Sequence, residues 1–147
     1  MPDTDELYLL DTNILVHSVR NDALALWLER SHFVMSGPDE PLISVVVEGE
    51  MRSLALQFGW GKRRLDRLTG LLDHALIVPL DFPGVVDAYA RIDAYCRSAG
   101  TPLGENDTWI AATAAATSAR LLTTDRDFQR LDPTLLSTTW VDPSQGR

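Results

Sequence analysis

Four carboxylates stand at positions where a folded chain could bring them into one site. Asp11 and Asp125 each end a short apolar run, whereas Glu50 and Asp107 each lie near the predicted start of a helix. Carboxylate oxygens bind hard cations, so a group of them favours Mg²⁺ or Mn²⁺. Such ions are usually bound together with waters and a substrate phosphate, which indicates phosphate chemistry.

Strands and helices that could position these carboxylates alternate along the chain. Apolar runs predict buried strands over residues 7–10, 42–44, 76–80, 121–124 and 136–141. Helical spacing predicts amphipathic helices between them, with apolar faces formed by Leu24, Trp27, Leu28 and Met35, by Val47, Met51, Leu54 and Phe58, by Leu65, Leu68, Leu72 and Ala75, and by Val85, Tyr89, Ile92, Cys96 and Ala99.

The ends of these helices are also marked in the sequence. Asp22 and Ser44 are good N-caps. Gly37-Pro38 is expected to end the helix after Asp22, and Gly100 is expected to end the helix over residues 85–99. A loop over residues 101–106 is expected to lead into Asp107 and an alanine-rich helix over residues 109–118, and a short helical turn is expected around Phe128.

This alternation predicts an α/β fold with a central, mostly parallel sheet and helices on both faces. If all the strands are parallel, Asp11, Glu50, Asp107 and Asp125 meet at the rim formed by the carboxyl ends of the strands, where open α/β sheets bind ligands. Like charges at one rim repel each other, so protons or cations must neutralise them.

Composition limits the other possibilities. The length suits a single domain over residues 1–147, and the net charge of −8 argues against a broad basic surface for nucleic acid. No apolar run reaches the length of a membrane span, the start lacks the basic residues of a signal peptide, and Cys96 has no partner, so we expect a cytoplasmic protein. His17, His32 and His74 lack the spacing of a zinc site.

Four motifs in sequence order resemble a PIN-domain ribonuclease, specifically the VapC-type toxin of a bacterial toxin-antitoxin pair. They are Leu10-Asp11-Thr12-Asn13, residues 43–50, residues 106–112 and residues 122–128. The resemblance spans nearly the whole chain and implies a three-layer PIN-like domain. By that resemblance, Asp11, Glu50, Asp107 and Asp125 match the acidic positions that hold the metal, and Thr12, Asn13 and Thr123 match polar positions beside them.

The resemblance implies a metal-dependent endoribonuclease that hydrolyses RNA phosphodiesters with Mg²⁺, or with Mn²⁺. It also implies a homodimer that a small cognate antitoxin silences, and the regions around Trp27 and Trp60 are candidate contact surfaces. Glu105 and Asp127 are candidate outer members of the acidic pocket. Glu48 would replace Glu50 if the strand over residues 42–44 ran on through Val47.

Other interpretations remain open from the sequence. Asp11, Asp107 and Asp125 could each simply cap a helix, and Glu48 and Glu105 could be solvated. The basic run Lys62, Arg63, Arg64 and Arg67 is either an exposed helix face or an RNA contact. Two further functions are a catalytically silent PIN-like module that binds RNA or protein, and another Mg²⁺-dependent phosphate-handling α/β domain.

Overall fold

The computed structural model describes residues 6–32, 34 and 39–146. Within this part of the chain, one five-stranded sheet lies at the centre, with strand order β3-β2-β1-β4-β5 and every pair of neighbours parallel. The strands are β1 (Tyr8–Leu10), β2 (Leu42–Ser44), β3 (Leu76–Val78), β4 (Arg120–Thr123) and β5 (Ser137–Trp140). The predicted α/β fold with a parallel central sheet is confirmed.

Helices connect successive strands. They are α1 (Thr12–Arg20), α2 (Ala23–His32), α3 (Val45–Gln57), α4 (Lys62–His74), α5 (Val85–Ser98) and α6 (Glu105–Thr117), and a 3₁₀ segment (Arg126–Leu131) joins β4 to β5. Starting from β1, the chain adds β2 and β3 on one side, then returns to add β4 and β5 on the other. Because crossovers between parallel strands are right-handed, this reversal places α1 to α4 on one face of the sheet and α5 and α6 on the other.

The reversal makes the boundary between β1 and β4 the topological switch point of the sheet. β1 is buried throughout, and its register with β4 pairs Leu9 with Leu121 and Leu10 with Leu122. These four leucines have no exposed surface, which explains the continuous apolar runs in the sequence. Open α/β sheets bind ligands at such a switch point, beyond the carboxyl ends of the strands.

Small residues bring α6 close to its neighbours. Ala111 and Ala112 are fully buried, and α6 packs extensively against α5. At this contact, the rings of Tyr89 and Trp109 stack with their centroids 4.0 Å apart. This packing fixes the start of α6, which carries Asp107.

Several predicted boundaries are wrong by a few residues. The helix predicted over residues 109–118 begins at Glu105, because Gly104 takes the N-cap position. β3 ends at Val78, before Pro79, since proline cannot donate a hydrogen bond to a neighbouring strand. Leu65 was expected on the inner face of α4, but it is 42% exposed. The buried residues of α4 are Leu68 and Leu72.

Three predictions about the helices are confirmed, whereas Phe58 and Ala99, which were expected on apolar helix faces, are exposed. The Asp22 side chain accepts a hydrogen bond from Ala25 N at 3.1 Å, and Cys96 is fully buried in α5. Gly100 follows the end of α5 with a left-handed φ of 76°. Met35 and Gly37-Pro38, which were assigned to the helix after Asp22, lie outside the described residues. No helix in the described ranges has the length and hydrophobicity needed to span a membrane.

Candidate active site

Asp11 lies at the turn from β1 into α1 and is held by two hydrogen bonds. Its Oδ1 accepts from the backbone N of Thr12 at 2.8 Å, which caps α1, and its Oδ2 accepts from Thr123 Oγ1 at 2.6 Å. The side chain is almost fully buried at 4% exposure. Burial raises the pKa of Asp11, the two hydrogen bonds oppose that rise, and the charge of Asp125 adds to it. Asp11 therefore caps a helix and also faces the site.

Thr123 joins Asp11 to Asp125 across two adjacent strands. It ends β4 and is fully buried. While its hydroxyl donates to Asp11, the same oxygen accepts from the backbone N of Asp125 at 3.0 Å. Asp125 in turn caps the 3₁₀ segment by accepting from Asp127 N at 2.9 Å. The two aspartates that end β1 and β4 are thus fixed relative to each other.

Glu50 reaches the same region from α3. Ser44 ends β2 and caps α3 by accepting a hydrogen bond from Val46 N at 3.1 Å, so α3 begins just after the strand as predicted. Glu50 Oε1 and Thr12 Oγ1 are buried and neither forms a hydrogen bond of good geometry. Burial raises the pKa of Glu50, the nearby Thr12 hydroxyl lowers it, and the charge of Asp11 raises it.

Asp107 lies in the first turn of α6 but does not cap it. The N-cap is Gly104, and no side chain forms a capping hydrogen bond there. Burial, followed by the charges of Asp11, Asp125, Glu50 and Asp127, raises the pKa of Asp107 to about 6. Four carboxylates from three separate parts of the chain thus act on one side chain.

Asp11, Glu50, Asp107 and Asp125 are called the acidic cluster below. The structure brings them together at the carboxyl ends of β1 and β4, where the sheet has its switch point. Among the described residues, no three His, Cys, Asp or Glu side chains already surround one point as a formed metal site. The oxygens nevertheless fit a hard cation, because Mg²⁺ takes one or two carboxylates and completes its shell with water and phosphate. The buried Glu50 Oε1, which accepts no hydrogen bond of good geometry, is an oxygen that such an ion would satisfy.

The remaining acidic and polar candidates lie around the cluster. Glu48 forms an ion pair with Arg52 at 2.8 Å on the outer part of α3, whereas Glu50 is coupled to Asp11. Asn13 and Glu105 are exposed. Asp127 is exposed as well, but its charge contributes to the raised pKa of Asp107.

Two of the four basic candidates have partners within the chain. Lys62 Nζ pairs with Asp66 at 2.7 Å, and Arg67 Nη1 donates to the carbonyl of Val19 at 3.2 Å. Arg63 and Arg64 are exposed on α4. The charges that shift the pKa of Asp107 are all carboxylates, so this basic run is not part of the acidic cluster.

The sequence did not single out two features beside the cluster. Glu50 and Asn106 line an open groove of about 500 Å³ that continues along α3. The guanidinium of Arg126 lies 4.0 Å from the centre of the Trp140 ring. Asn106 and Arg126 are each next to an aspartate of the acidic cluster in the sequence, so the sequence could have marked them as neighbours of the site. Trp140 gives no such signal, because only the pairing of β5 with β4 brings it alongside Thr123.

Comparison with known proteins identifies the family. A family model of the PIN domain matches residues 8–133, which is most of the chain. The chain belongs to the PIN domain family. The three-layer arrangement of this PIN domain agrees with that assignment, and no curated protein matches its sequence significantly.

Several solved structures contain chains similar to this PIN domain, and one of them belongs to a family of toxin-antitoxin systems. The first, VapBC-5 of the VapBC toxin-antitoxin family from Mycobacterium tuberculosis, gives 27% identity and a TM-score of 0.66 over 92% of this chain and 98% of that one. FitAcB from Neisseria gonorrhoeae gives 25% identity and a TM-score of 0.72 over 90% and 96% of the two chains.

A further match shares the fold at lower identity. VapBC2 from Rickettsia felis, bound to a DNA fragment from its promoter, gives 21% identity and a TM-score of 0.75 over 90% of this chain and 97% of that one. The resemblance to VapC-type PIN domains drawn from the four motifs is confirmed for the family and the fold.

Proposed function

We propose that this PIN domain is a metal-dependent endoribonuclease that hydrolyses RNA phosphodiesters and is the toxin of a toxin-antitoxin pair. The observation that carries the proposal is the convergence of the acidic cluster at the switch point of the sheet, where burial and the neighbouring carboxylates raise the pKa of Asp107 to about 6. A purely structural cluster of this kind would destabilise the fold without compensation. In a site that binds a cation and a phosphate, the cation would offset this repulsion.

The residues of the cluster would have different tasks. Asp11 and Asp107 would hold Mg²⁺, or Mn²⁺, and Glu50 and Asp125 would complete the site directly or through waters. When bound, the ion supplies charge stabilisation for the phosphate and the leaving 3′ oxygen and lowers the pKa of a water. Thr123 keeps Asp11 oriented, and each Asp11 oxygen retains a lone pair beyond its hydrogen bond. Thr12, Asn13, Glu105 and Asp127 would tune the surrounding charge and hydrogen bonding.

The groove beside Glu50 and Asn106 supports an extended substrate. The groove, of about 500 Å³, is open rather than enclosed, as a site for an extended strand must be. Arg63 and Arg64 on α4 are candidates for a more distant contact with the RNA backbone. Reversing both charges without changing RNA affinity at any salt concentration would exclude that contact.

Partners enter the proposal through structural relatives that include a member of the VapBC toxin-antitoxin family and a toxin-antitoxin complex from Klebsiella pneumoniae. We infer a cognate antitoxin protein and a homodimer, in the cytoplasm. Leu56 and Phe58, which are 84% and 70% exposed at the end of α3, are apolar groups that a protein partner would cover. Light scattering of the isolated chain, compared with the variant carrying Leu56→Glu and Phe58→Glu, tests the homodimer.

One experiment tests the central proposal. The chain is expressed alone, and new RNA ends are sequenced beside a culture that expresses Asp11→Asn. We expect specific new ends with the wild type only, and purified protein should cut RNA in Mg²⁺ but not in EDTA. If Asp11→Asn folds normally and cuts RNA as well as the wild type, the assignment of the cluster is wrong. If neither protein cuts any RNA, the silent binding module becomes the better interpretation.

A further inference from the structure

Arg126 is held in one place at the edge of the acidic cluster. It directly follows Asp125 and begins the 3₁₀ segment. Its guanidinium stacks on the Trp140 ring, with its central carbon 4.0 Å from the ring centre. Trp140 is itself fixed, because its Nε1 donates to the carbonyl of Thr124 at 2.9 Å. The stacking therefore restricts an exposed side chain that would otherwise sample many rotamers.

The hydrogen-bond donors of Arg126 are not used within the described part of the chain. Four other arginines form ion pairs with carboxylates, namely Arg52, Arg91, Arg97 and Arg120. Arg126 forms no ion pair among residues 6–32, 34 and 39–146, although Asp125, Asp127 and Asp142 are near it in sequence or space. Stacking on a ring leaves the edge of the guanidinium free, and that edge matches two oxygens of a phosphate.

We propose that Arg126, positioned by Trp140, binds an RNA phosphate next to the scissile one. The inference rests on the proposed function and extends it by naming a residue that positions the substrate. RNA approaching the acidic cluster of a chain with net charge −8 is repelled. A fixed cation beside Asp125 offsets part of that repulsion and defines where the strand runs, without being a ligand of the metal.

Binding of a short, labelled, single-stranded RNA of mixed sequence tests the inference. It is measured in Mg²⁺ at several salt concentrations, in the Asp11→Asn background so that the probe stays intact. We expect Arg126→Gln to reduce the slope of log affinity against log salt by about 0.7, and to weaken binding about fivefold at about 0.1 M salt. Arg126→Lys should keep most of the salt dependence, because it keeps the charge.

Arg130→Gln is the matched control, since it removes the same charge from another exposed arginine of the 3₁₀ segment. It should leave both the affinity and the salt slope unchanged. Trp140→Leu should weaken binding when Arg126 is present but have no further effect in the Arg126→Gln background, because Trp140 acts through Arg126. Equal effects of Arg126→Gln and Arg130→Gln, or of Trp140→Leu in the two backgrounds, would overturn the inference.

Steady-state kinetics distinguish a failure of this inference from a failure of the proposed function. In the active protein, we expect Arg126→Gln to raise KM about fivefold and to change kcat by less than about twofold, because the lost contact is the same before and during the reaction. A lower kcat with unchanged KM contradicts the positioning role. Absence of cleavage by the wild type would refute the proposed nuclease, while the binding comparison would still decide the role of Arg126.

Discussion

Asp11 and Asp107 carry the same functional group in very different surroundings. Asp11 is nearly buried, but it accepts hydrogen bonds on both oxygens, which hold it in one orientation. Asp107 has no such support, and its burial together with the carboxylates around it raises its pKa to about 6. The cluster thus combines one carboxylate that is fixed in advance with one that depends on a proton or a cation.

Replacement of Thr123 by valine tests how Asp11 is fixed. The change keeps the shape of the side chain but removes the donor to Asp11 and the acceptor for Asp125 N. We expect a loss of about 1.5–3 kcal/mol in the free energy of unfolding, because the hydrogen bond serves a buried charge. Cleavage should fall at least about tenfold as Asp11 loses its orientation. Urea unfolding and cleavage rates measure the two effects.

Thr113→Val provides the comparison for that experiment. Thr113 is equally buried, but its hydroxyl donates only to the carbonyl of Trp109 in the same helix at 2.8 Å. We expect a loss of less than about 1 kcal/mol and normal cleavage. If Thr123→Val has no larger effect than Thr113→Val, the hydrogen bond to Asp11 does not support the site.

Replacement of Asp107 by asparagine tests the repulsion within the cluster. The pKa of Asp107 is 3.8 in its ordinary state and about 6 in the folded chain. Between these two pH values, the folded chain therefore binds the proton more tightly than the unfolded chain does. The stability that this proton contributes to the fold is fully present below pH 3.8 and is lost as the pH rises through about 6. Without metal, we therefore expect Asp107→Asn to stabilise the fold by about 1–2 kcal/mol at neutral pH after allowance for solvent screening.

Thermal melts in EDTA across the pH range measure this difference. The gain from Asp107→Asn should shrink as pH falls below about 6, because the wild-type side chain is then protonated. Asp73→Asn makes the same chemical change at an exposed position of α4 and should leave stability unchanged at both ends of the range. Destabilisation by Asp107→Asn at neutral pH would mean that its charge supports the fold.

The helices α3 and α6 place Glu50 and Asp107 at the site, and their starts are determined in different ways. α3 follows β2 without a loop, because Ser44 both ends the strand and caps the helix, and this carries Glu50 to the rim. α6 follows a loop, and its start depends on packing against α5. The start of α3 could be predicted from local chemistry, but that of α6 could not.

The cap at Ser44 gives a prediction for α3. Ser44→Ala removes the acceptor for Val46 N in a fully buried position, and we expect it to cost about 1 kcal/mol. Cleavage should decrease by a few fold at most, since Glu50 lies more than one turn further along the helix. Chemical unfolding measures the cost, with Ser53→Ala on the exposed side of α3 as the reference. Equal stability of the two variants would show that the cap is dispensable.

The sequence predicted the order and type of most elements because their signals are local. Apolar runs, caps and Gly100 each act within a few residues. The errors lie where distant contacts decide the outcome. Leu65 fits a helical stripe equally well whether or not another helix covers it, and Trp140 approaches Arg126 only through the pairing of β4 and β5.

For the molecule as a whole, the parallel sheet and its switch point explain why the convergence of these carboxylates could be anticipated without coordinates. Once all strands run the same way, the residues that follow β1 and β4 lie at one edge of the sheet, and the pairing of these two strands makes them neighbours. The identities of the cluster residues followed from that rule together with the four motifs. Their electrostatic coupling, and the separation of Glu48 from Glu50, required the folded structure.

Cation binding should therefore stabilise the whole fold. We expect Mg²⁺ at about ten times its dissociation constant to raise Tm by about 3–6 °C, because it binds the folded cluster only. The increase should be larger at pH 7.5 than at about pH 5.5, where the Asp107 proton competes with the ion. Scanning calorimetry measures it, with NaCl at equal ionic strength as the control. An equal increase in Asp11→Asn would place the binding elsewhere.

The hydrogen bond between Thr123 and Asp11 joins residues that are 112 positions apart in the chain. The ribosome therefore makes Asp11 well before it makes the strand that carries Thr123. A nascent or truncated polypeptide that stops before residue 120 lacks both the strand beside β1 and the fourth carboxylate. The order of synthesis therefore keeps any activity of this rim from arising before β4 and the segment after it have been made.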